Sequence, residues 1–141
     1  MLYADTSFQI AAYVADVHSP AVVSRMAQRP QLCLTPFSRS EVANAIHRQV
    51  FIGRLSAIEV QRAWRSFEGD IGAGVWQNVE FPLRAWDTSV DLARRFAPTL
   101  GVRTLDSLHV ACALELKADR FWTFDDRQAK LAEAVGLDTS A

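Results

Sequence analysis

Leu2-Tyr3-Ala4-Asp5-Thr6-Ser7 opens the chain with a short apolar run that stops at three residue types favoured as helix N-caps. It reads as a buried strand feeding a helix. Gln31-Leu32-Cys33-Leu34-Thr35 repeats the pattern between Pro30 and Pro36, and a helix again follows. That helix is predicted to start at Ser38-Arg39-Ser40-Glu41. This is capping-box spacing, in which the serine hydroxyl and the glutamate carboxylate satisfy backbone N–H groups reciprocally. Val42, Ile46 and Val50 form its apolar stripe, and Gly53 falls where a left-handed residue ends it. Ser56-Ala57-Ile58-Glu59 is a second capping box, and Val60, Trp64, Phe67 and Ile71 continue as one face.

Val75 to Phe81 is strand-like and closed by Pro82, while Asp87 to Ala97 reads as a helix closed by Pro98 and Gly101. Thr104 is predicted to cap a helix from Leu105 to Lys117 that is apolar on nearly every side and therefore buried. Arg120 to Phe124 gives a strand, Asp125 to Val135 a helix, and Leu137 to Thr139 a stub of strand. Strands alternating with helices predict an α/β fold whose parallel sheet is covered on both faces.

With 141 residues, half of them apolar and 22% charged, the composition predicts a single domain over 1–141 and excludes collagen-like, low-complexity and disordered classes. The net charge of −1 supplies no long-range attraction to nucleic acid or an acidic membrane, so such a partner needs a local patch. Between Arg25 and Arg65 seven arginines face only Glu41 and Glu59, which makes this segment the candidate anion-facing surface. An ordinary solvated helix face is the alternative. Cys33 and Cys112 sit in apolar runs and behave as small hydrophobes rather than a disulfide pair. No stretch approaches the roughly 18 apolar residues of a membrane span. The N-terminus lacks the basic start of a secretory signal. A reducing cytoplasm is the expected compartment.

In an open parallel sheet, ligands bind at the carboxyl ends of the strands. Asp5, Glu41, Asp106 and Asp125 all fall at such places. Each alone is adequately explained as a cap or a partner of the helix dipole. Four converging carboxylates would repel one another unless a cation compensates, and hard oxygen donors without thiolate or imidazole select Mg²⁺ or Mn²⁺. Ions held in that way can activate water and neutralise a phosphodiester, with arginines on flanking helices, among them Arg39, Arg48 and Arg62, gripping the phosphates of a polynucleotide.

Ala4-Asp5-Thr6-Ser7, Ser40-Glu41-Val42-Ala43-Asn44-Ala45, Leu105 to Ala113 and Phe121-Trp122-Thr123-Phe124-Asp125 together resemble, in order and spacing, the signature blocks of a PIN domain. In length and order the chain is similar to the VapC-type toxin ribonucleases of bacterial toxin–antitoxin pairs. The resemblance implies a three-layer α/β/α fold around a parallel sheet of four to five strands. It also implies a Mg²⁺- or Mn²⁺-dependent endoribonuclease, usually a homodimer, inhibited by a VapB-type antitoxin. Asp5, Glu41, Asp106 and Asp125 then become the catalytic, metal-binding acids, with Ser7 and Thr123 as hydroxyls supporting them. Asp126 follows Asp125 directly, so a one-residue shift would exchange the inward carboxylate; the Thr-x-Asp spacing favours Asp125.

His109 and Asn44 could each reach the rim, although a packed or surface histidine and a solvated asparagine are the plainer readings. Phe37, Phe51, Trp64, Phe67 and Trp76 crowd the arginine-rich half, either as core or as a groove for an inhibitor's helix or strand. Among rivals, a haloacid-dehalogenase-type phosphatase needs a second aspartate where Ser7 stands, and Gly72-Ala73-Gly74 is no phosphate loop. The non-enzymatic alternative is an RNA- or protein-binding module whose acids serve only as caps.

Overall fold

The computed structural model describes residues 1–141. In chain order the elements are β1 (Leu2–Ala4), α1 (Thr6–Ala11), α2 (Ser19–Met26), β2 (Leu32–Leu34), α3 (Pro36–Phe51) and α4 (Ala57–Gly72). They continue with β3 (Trp76–Asn78), α5 (Ala85–Leu100), α6 (Thr104–Glu115), β4 (Arg120–Trp122) and α7 (Asp126–Ala134). The four strands form one parallel sheet in the order β3-β2-β1-β4, with Leu2 opposite Leu32 on one side and Arg120 on the other. The stub near the C-terminus appears as one parallel bridge, Arg120 to Asp138.

Successive strand residues point to opposite faces of a sheet, and here each face has its own core. Leu2, Ala4, Leu32, Leu34 and Trp122 pack against α1 to α4 through Phe8, Val22, Val42, Ile46, Val60 and Phe67. Tyr3, Cys33 and Phe121 face the other way, onto Leu92 of α5, Leu108 and Cys112 of α6 and Leu131 of α7. Each large side chain buried in this way contributes about 1.5–3 kcal/mol. Three layers result, with the sheet in the middle. Both cysteines are buried and free. No helix is long and apolar enough to cross a membrane.

After β1 and β2 the chain moves outward to β3, then returns across the sheet to place β4 on the opposite side of β1. The order therefore reverses between β1 and β4, which is where a crevice opens at the carboxyl edge. A helix that leads into a parallel strand must itself begin at that edge, and α6 does so ahead of β4.

Several local expectations need correction. The helix after β2 does not start with a Ser38–Glu41 box: Thr35 is its N-cap, accepting from the Ser38 N–H at 3.1 Å, with Pro36 in the first turn. Proline favours that position because its fixed φ suits a helix and its missing N–H is not needed there. Glu41 is thereby released for other work. Thr104 is the first helical residue of α6, not its cap; the Asp106 carboxylate accepts from the Arg103 backbone N–H at 2.8 Å. Pro98 does not close α5, which runs on to Leu100 and ends at left-handed Gly101 (φ 64°). Pro98 lies exposed in the last turn, where the carbonyl it deprives of a partner can meet water. Val50 is exposed rather than part of the α3 stripe, and α2 has no counterpart in the sequence-based expectations. Of the crowded aromatics, Phe67 and Trp76 are buried and Phe37 packs near His109, whereas Phe51 is 86% exposed.

Candidate active site at the carboxyl rim of the sheet

Asp5 ends β1 and caps α1. Its Oδ1 accepts from the Phe8 N–H at 3.0 Å and the Ser7 hydroxyl at 2.7 Å, and its Oδ2 accepts from the Thr123 hydroxyl at 2.8 Å. The side chain is wholly buried on the central strand. Burial pushes its pKa up, against the charge of His109 and the bonds from Ser7, Phe8 and Thr123. The Ser7 oxygen also accepts from the Phe124 N–H at 2.8 Å, which ties the β1 and β4 ends together.

Glu41 projects from the second turn of α3. Its Oε2 accepts from the Thr6 hydroxyl at 2.8 Å and bonds His109 Nε2. Burial works against the ionised form, but the hydrogen bond and charge of His109, with the Thr6 hydroxyl, outweigh it and hold the carboxyl below its ordinary value. The fully buried His109 faces the Tyr3 hydroxyl through Nδ1 at 2.9 Å. In the neutral tautomer that donates from Nε2 to Glu41, Nδ1 accepts from Tyr3.

Asp106, in the first turn of α6, is 2% exposed. Besides the Arg103 N–H, its Oδ2 accepts from Arg103 Nε at 3.3 Å, and its Oδ1 accepts from Gln128 Nε2 at 3.3 Å. Asp125 caps α7 through Oδ1, which accepts from the Arg127 and Gln128 N–H groups at 2.9 and 3.0 Å. Its Oδ2 lies 3.5 Å from Arg103 Nη2. The Arg103 guanidinium thus spans two carboxylates.

These four acids, drawn from four separated segments, line one pocket of ≈ 360 Å³ together with Thr6, Ser7, Arg103, His109 and Gln128. Asp126 lies outside this lining and is exposed. Asn44 is exposed as well. No group of three or more His, Cys, Asp and Glu side chains stands in a metal-holding arrangement. Each carboxylate already has an internal partner: hydroxyls and a backbone amide for Asp5, His109 for Glu41, and Arg103 for the other two. The donor set nevertheless suits a hard cation, being carboxylate oxygen throughout with one imidazole behind it.

No sequence signal marks Arg103, Gln128 or Thr6 as a site residue, and for His109 the sequence offers both the rim and, as the plainer reading, a packed or surface histidine. His109 is indeed packed, and it reaches the rim as well. The expected arginine surface is partly dismantled. Arg25 turns inward over the Phe8, Trp122 and Phe124 rings at 5.3–5.9 Å. Arg39, Arg48 and Arg62 are exposed on α3 and α4, outside the pocket lining, and Arg39 lies 3.9 Å from Glu68. A larger hollow of ≈ 560 Å³ between α3, α4 and β3 is bordered by Arg39, Trp64 and Asn78 but contains no carboxylate, so the acid chemistry belongs to the smaller pocket.

Comparison with known proteins agrees with this architecture. The fold superposes on VapC20 of Mycobacterium tuberculosis, a Sarcin-Ricin loop cleaving toxin, with a TM-score of 0.72 at 15% identity, covering 99% of this chain and 98% of that one. It superposes on FitAcB from Neisseria gonorrhoeae with a TM-score of 0.70 at 14% identity, covering 100% of this chain and 97% of that chain. No curated protein matches the sequence significantly. The family model of the PIN domain matches residues 2–134, nearly the whole chain, and the protein belongs to the PIN domain family.

Proposed function

We propose that this protein is a Mg²⁺- or Mn²⁺-dependent endoribonuclease acting as the toxin of a toxin–antitoxin pair. The observation that carries the reading is the meeting of Asp5, Glu41, Asp106 and Asp125 in one pocket at the sheet's switch point. Family membership and the likeness to a toxin that cleaves the Sarcin-Ricin loop support it.

Asp5, Glu41, Asp106 and Asp125 are the residues that would hold the cation. A bound divalent ion supplies Lewis acidity and lowers the pKa of water, so no Ser-His-Asp constellation is required. The chain's own contribution is positional. Ser7 and Thr123 fix both oxygens of Asp5, Gln128 holds one oxygen of Asp106, and His109 with Thr6 orients Glu41. RNA phosphates are held by exposed arginines, among which Arg39, Arg48 and Arg62 are the candidates of α3 and α4. A VapB-type antitoxin and a second copy of the chain are the proposed partners, and the cytoplasm the proposed compartment.

The test is a Mn²⁺ and Mg²⁺ titration of the purified protein, read by thermal unfolding and by cleavage of RNA. Wild type is expected to gain about 2.7 kcal/mol when free ion exceeds Kd a hundredfold. Asp106→Asn is expected to lose that gain and to slow cleavage by roughly a hundredfold or more, with the fold retained. Cleavage that continues undiminished in excess chelator would overturn the reading in favour of different chemistry. Metal-independent RNA binding without cleavage would favour the non-catalytic module.

A further inference from the structure

Arg103 lies in the pocket without being one of the four acids or one of the hydroxyls that hold them. It stands just ahead of α6 in extended backbone (φ −95°, ψ 168°), and its side chain is 65% exposed while the carboxylate it meets on Asp106 is 2% exposed. Through Nε and Nη2 the one guanidinium reaches Asp106 at 3.3 Å and Asp125 at 3.5 Å. A cation on residue 103 runs against the helix dipole, since the first turn of a helix favours anions. The two carboxylates are what keep it there.

We propose that Arg103 is an exchangeable counter-ion: it neutralises Asp106 and Asp125 in the metal-free protein, gives them up to a divalent cation, and then binds a phosphate of the RNA. This rests on the nuclease reading above.

Three features make the exchange feasible. The guanidinium is mostly in water already, so leaving the carboxylates desolvates nothing new. The backbone N–H of Arg103 keeps its own 2.8 Å bond to Asp106, so the start of α6 survives the side chain's departure. Without the guanidinium, Asp106 retains only the neutral donors of Gln128 and the backbone, and Asp125 only its capping amides. Two carboxylates held only by neutral donors call for another cation. Gln128 adds an oxygen, Oε1, that is buried and without a partner, which the water around an ion can supply. A guanidinium freed at the pocket mouth has the planar, bidentate geometry that suits a phosphodiester.

The experiment compares wild type, Arg103→Gln and Arg127→Gln. Arg127 is a neighbouring exposed arginine on α7 whose side chain pairs with neither acid; its backbone N–H caps Asp125 and is kept in R127Q, so the variant controls for the general loss of one positive charge. Mn²⁺ binding to the full chain without RNA is measured by calorimetry, and RNA binding at saturating Mn²⁺ by its salt dependence, with circular dichroism to verify the fold. R103Q is expected to bind Mn²⁺ roughly three- to tenfold more tightly than wild type, the size of a mostly exposed ion pair removed as a competitor. It is also expected to flatten the log–log salt slope of RNA binding by about one. Unchanged or weaker Mn²⁺ binding in R103Q overturns the proposal, as does an equal gain in R127Q or an unaltered salt slope. If wild type itself takes up no Mn²⁺, the nuclease reading fails first and carries this inference with it.

Discussion

Two neighbouring strand-to-helix junctions at the rim use the same local device. At the end of β1, Asp5 caps α1 by accepting the Phe8 N–H; beyond β4, Asp125 caps α7 by accepting those of Arg127 and Gln128. Yet Asp5 is fully buried, with both oxygens enclosed by protein donors, whereas Asp125 keeps 27% of its side chain in water and turns its second oxygen to an exposed arginine. The difference comes from the sheet, because β1 is flanked on both sides and β4 lies at an edge. Cap chemistry is local, while the electrostatic depth of the same carboxylate is decided by its strand's place in the order.

The sharpest way to break this comparison is a series at the three aspartates. Asp5→Asn is expected to reduce RNA cleavage by roughly a hundredfold or more and Asp125→Asn by about tenfold, the exposed acid being the more replaceable by water. Asp126→Asn should remain near wild type. A large loss in D126N with D125N near wild type would show that the β4 junction is one residue out of register.

A smaller effect is expected at the hydroxyls. Thr123→Val leaves one oxygen of Asp5 unanswered in a dry site, and Mn²⁺ affinity should fall about 10–100-fold, as for groups that orient metal ligands. Ser7→Ala should do the same and also loosen the link to Phe124. If neither variant changes the affinity, Asp5 is held by its cap alone.

The smallest effect sharpens the contrast in burial. Asp5 has its pKa raised by burial, so in chelated protein its contribution to stability is most favourable below the ordinary aspartate value and is lost as pH rises through the raised one. Asp5→Asn removes this loss. The stability of D5N relative to wild type should therefore increase with pH across the carboxylate range, as read by urea unfolding at a series of pH values. Glu41, held below its ordinary value, has the opposite sign, and Glu41→Gln should fall behind wild type as pH rises.

Much of the layout was legible from the chain. Leu2-Tyr3-Ala4 and Leu32-Cys33-Leu34 are apolar runs closed by capping residues, and the Ser56–Glu59 box forms as its spacing predicts, with bonds of 3.2 and 2.7 Å. Helix α2 was not legible, since it buries only Val22 while Val23 is 70% exposed, and Pro20 reads as a breaker although it sits in the first turn. Asp5, Asp106 and Asp125 could be found because they sit at strand ends and helix starts, which sequence marks, whereas Glu41, in the second turn of α3, drew notice through a capping box that does not form. Arg103 could not: a basic residue before a helix has no local reason to be there, and its partner Asp125 is brought across only by the return of the chain to β4. Gln128 was invisible for a similar reason, looking like one more solvated position on a polar helix.

Each strand is only three residues, about 10 Å of sheet, while α3 and α4 are sixteen residues each and about 24 Å long. The hairpin is therefore longer than the sheet it covers, and at its tip Phe51 stands almost fully in water while Leu55 packs on the core. Phe51 borders no part of the acid pocket, so the exposed tip can take on new surface chemistry there while the carboxylates at the other end keep their surroundings.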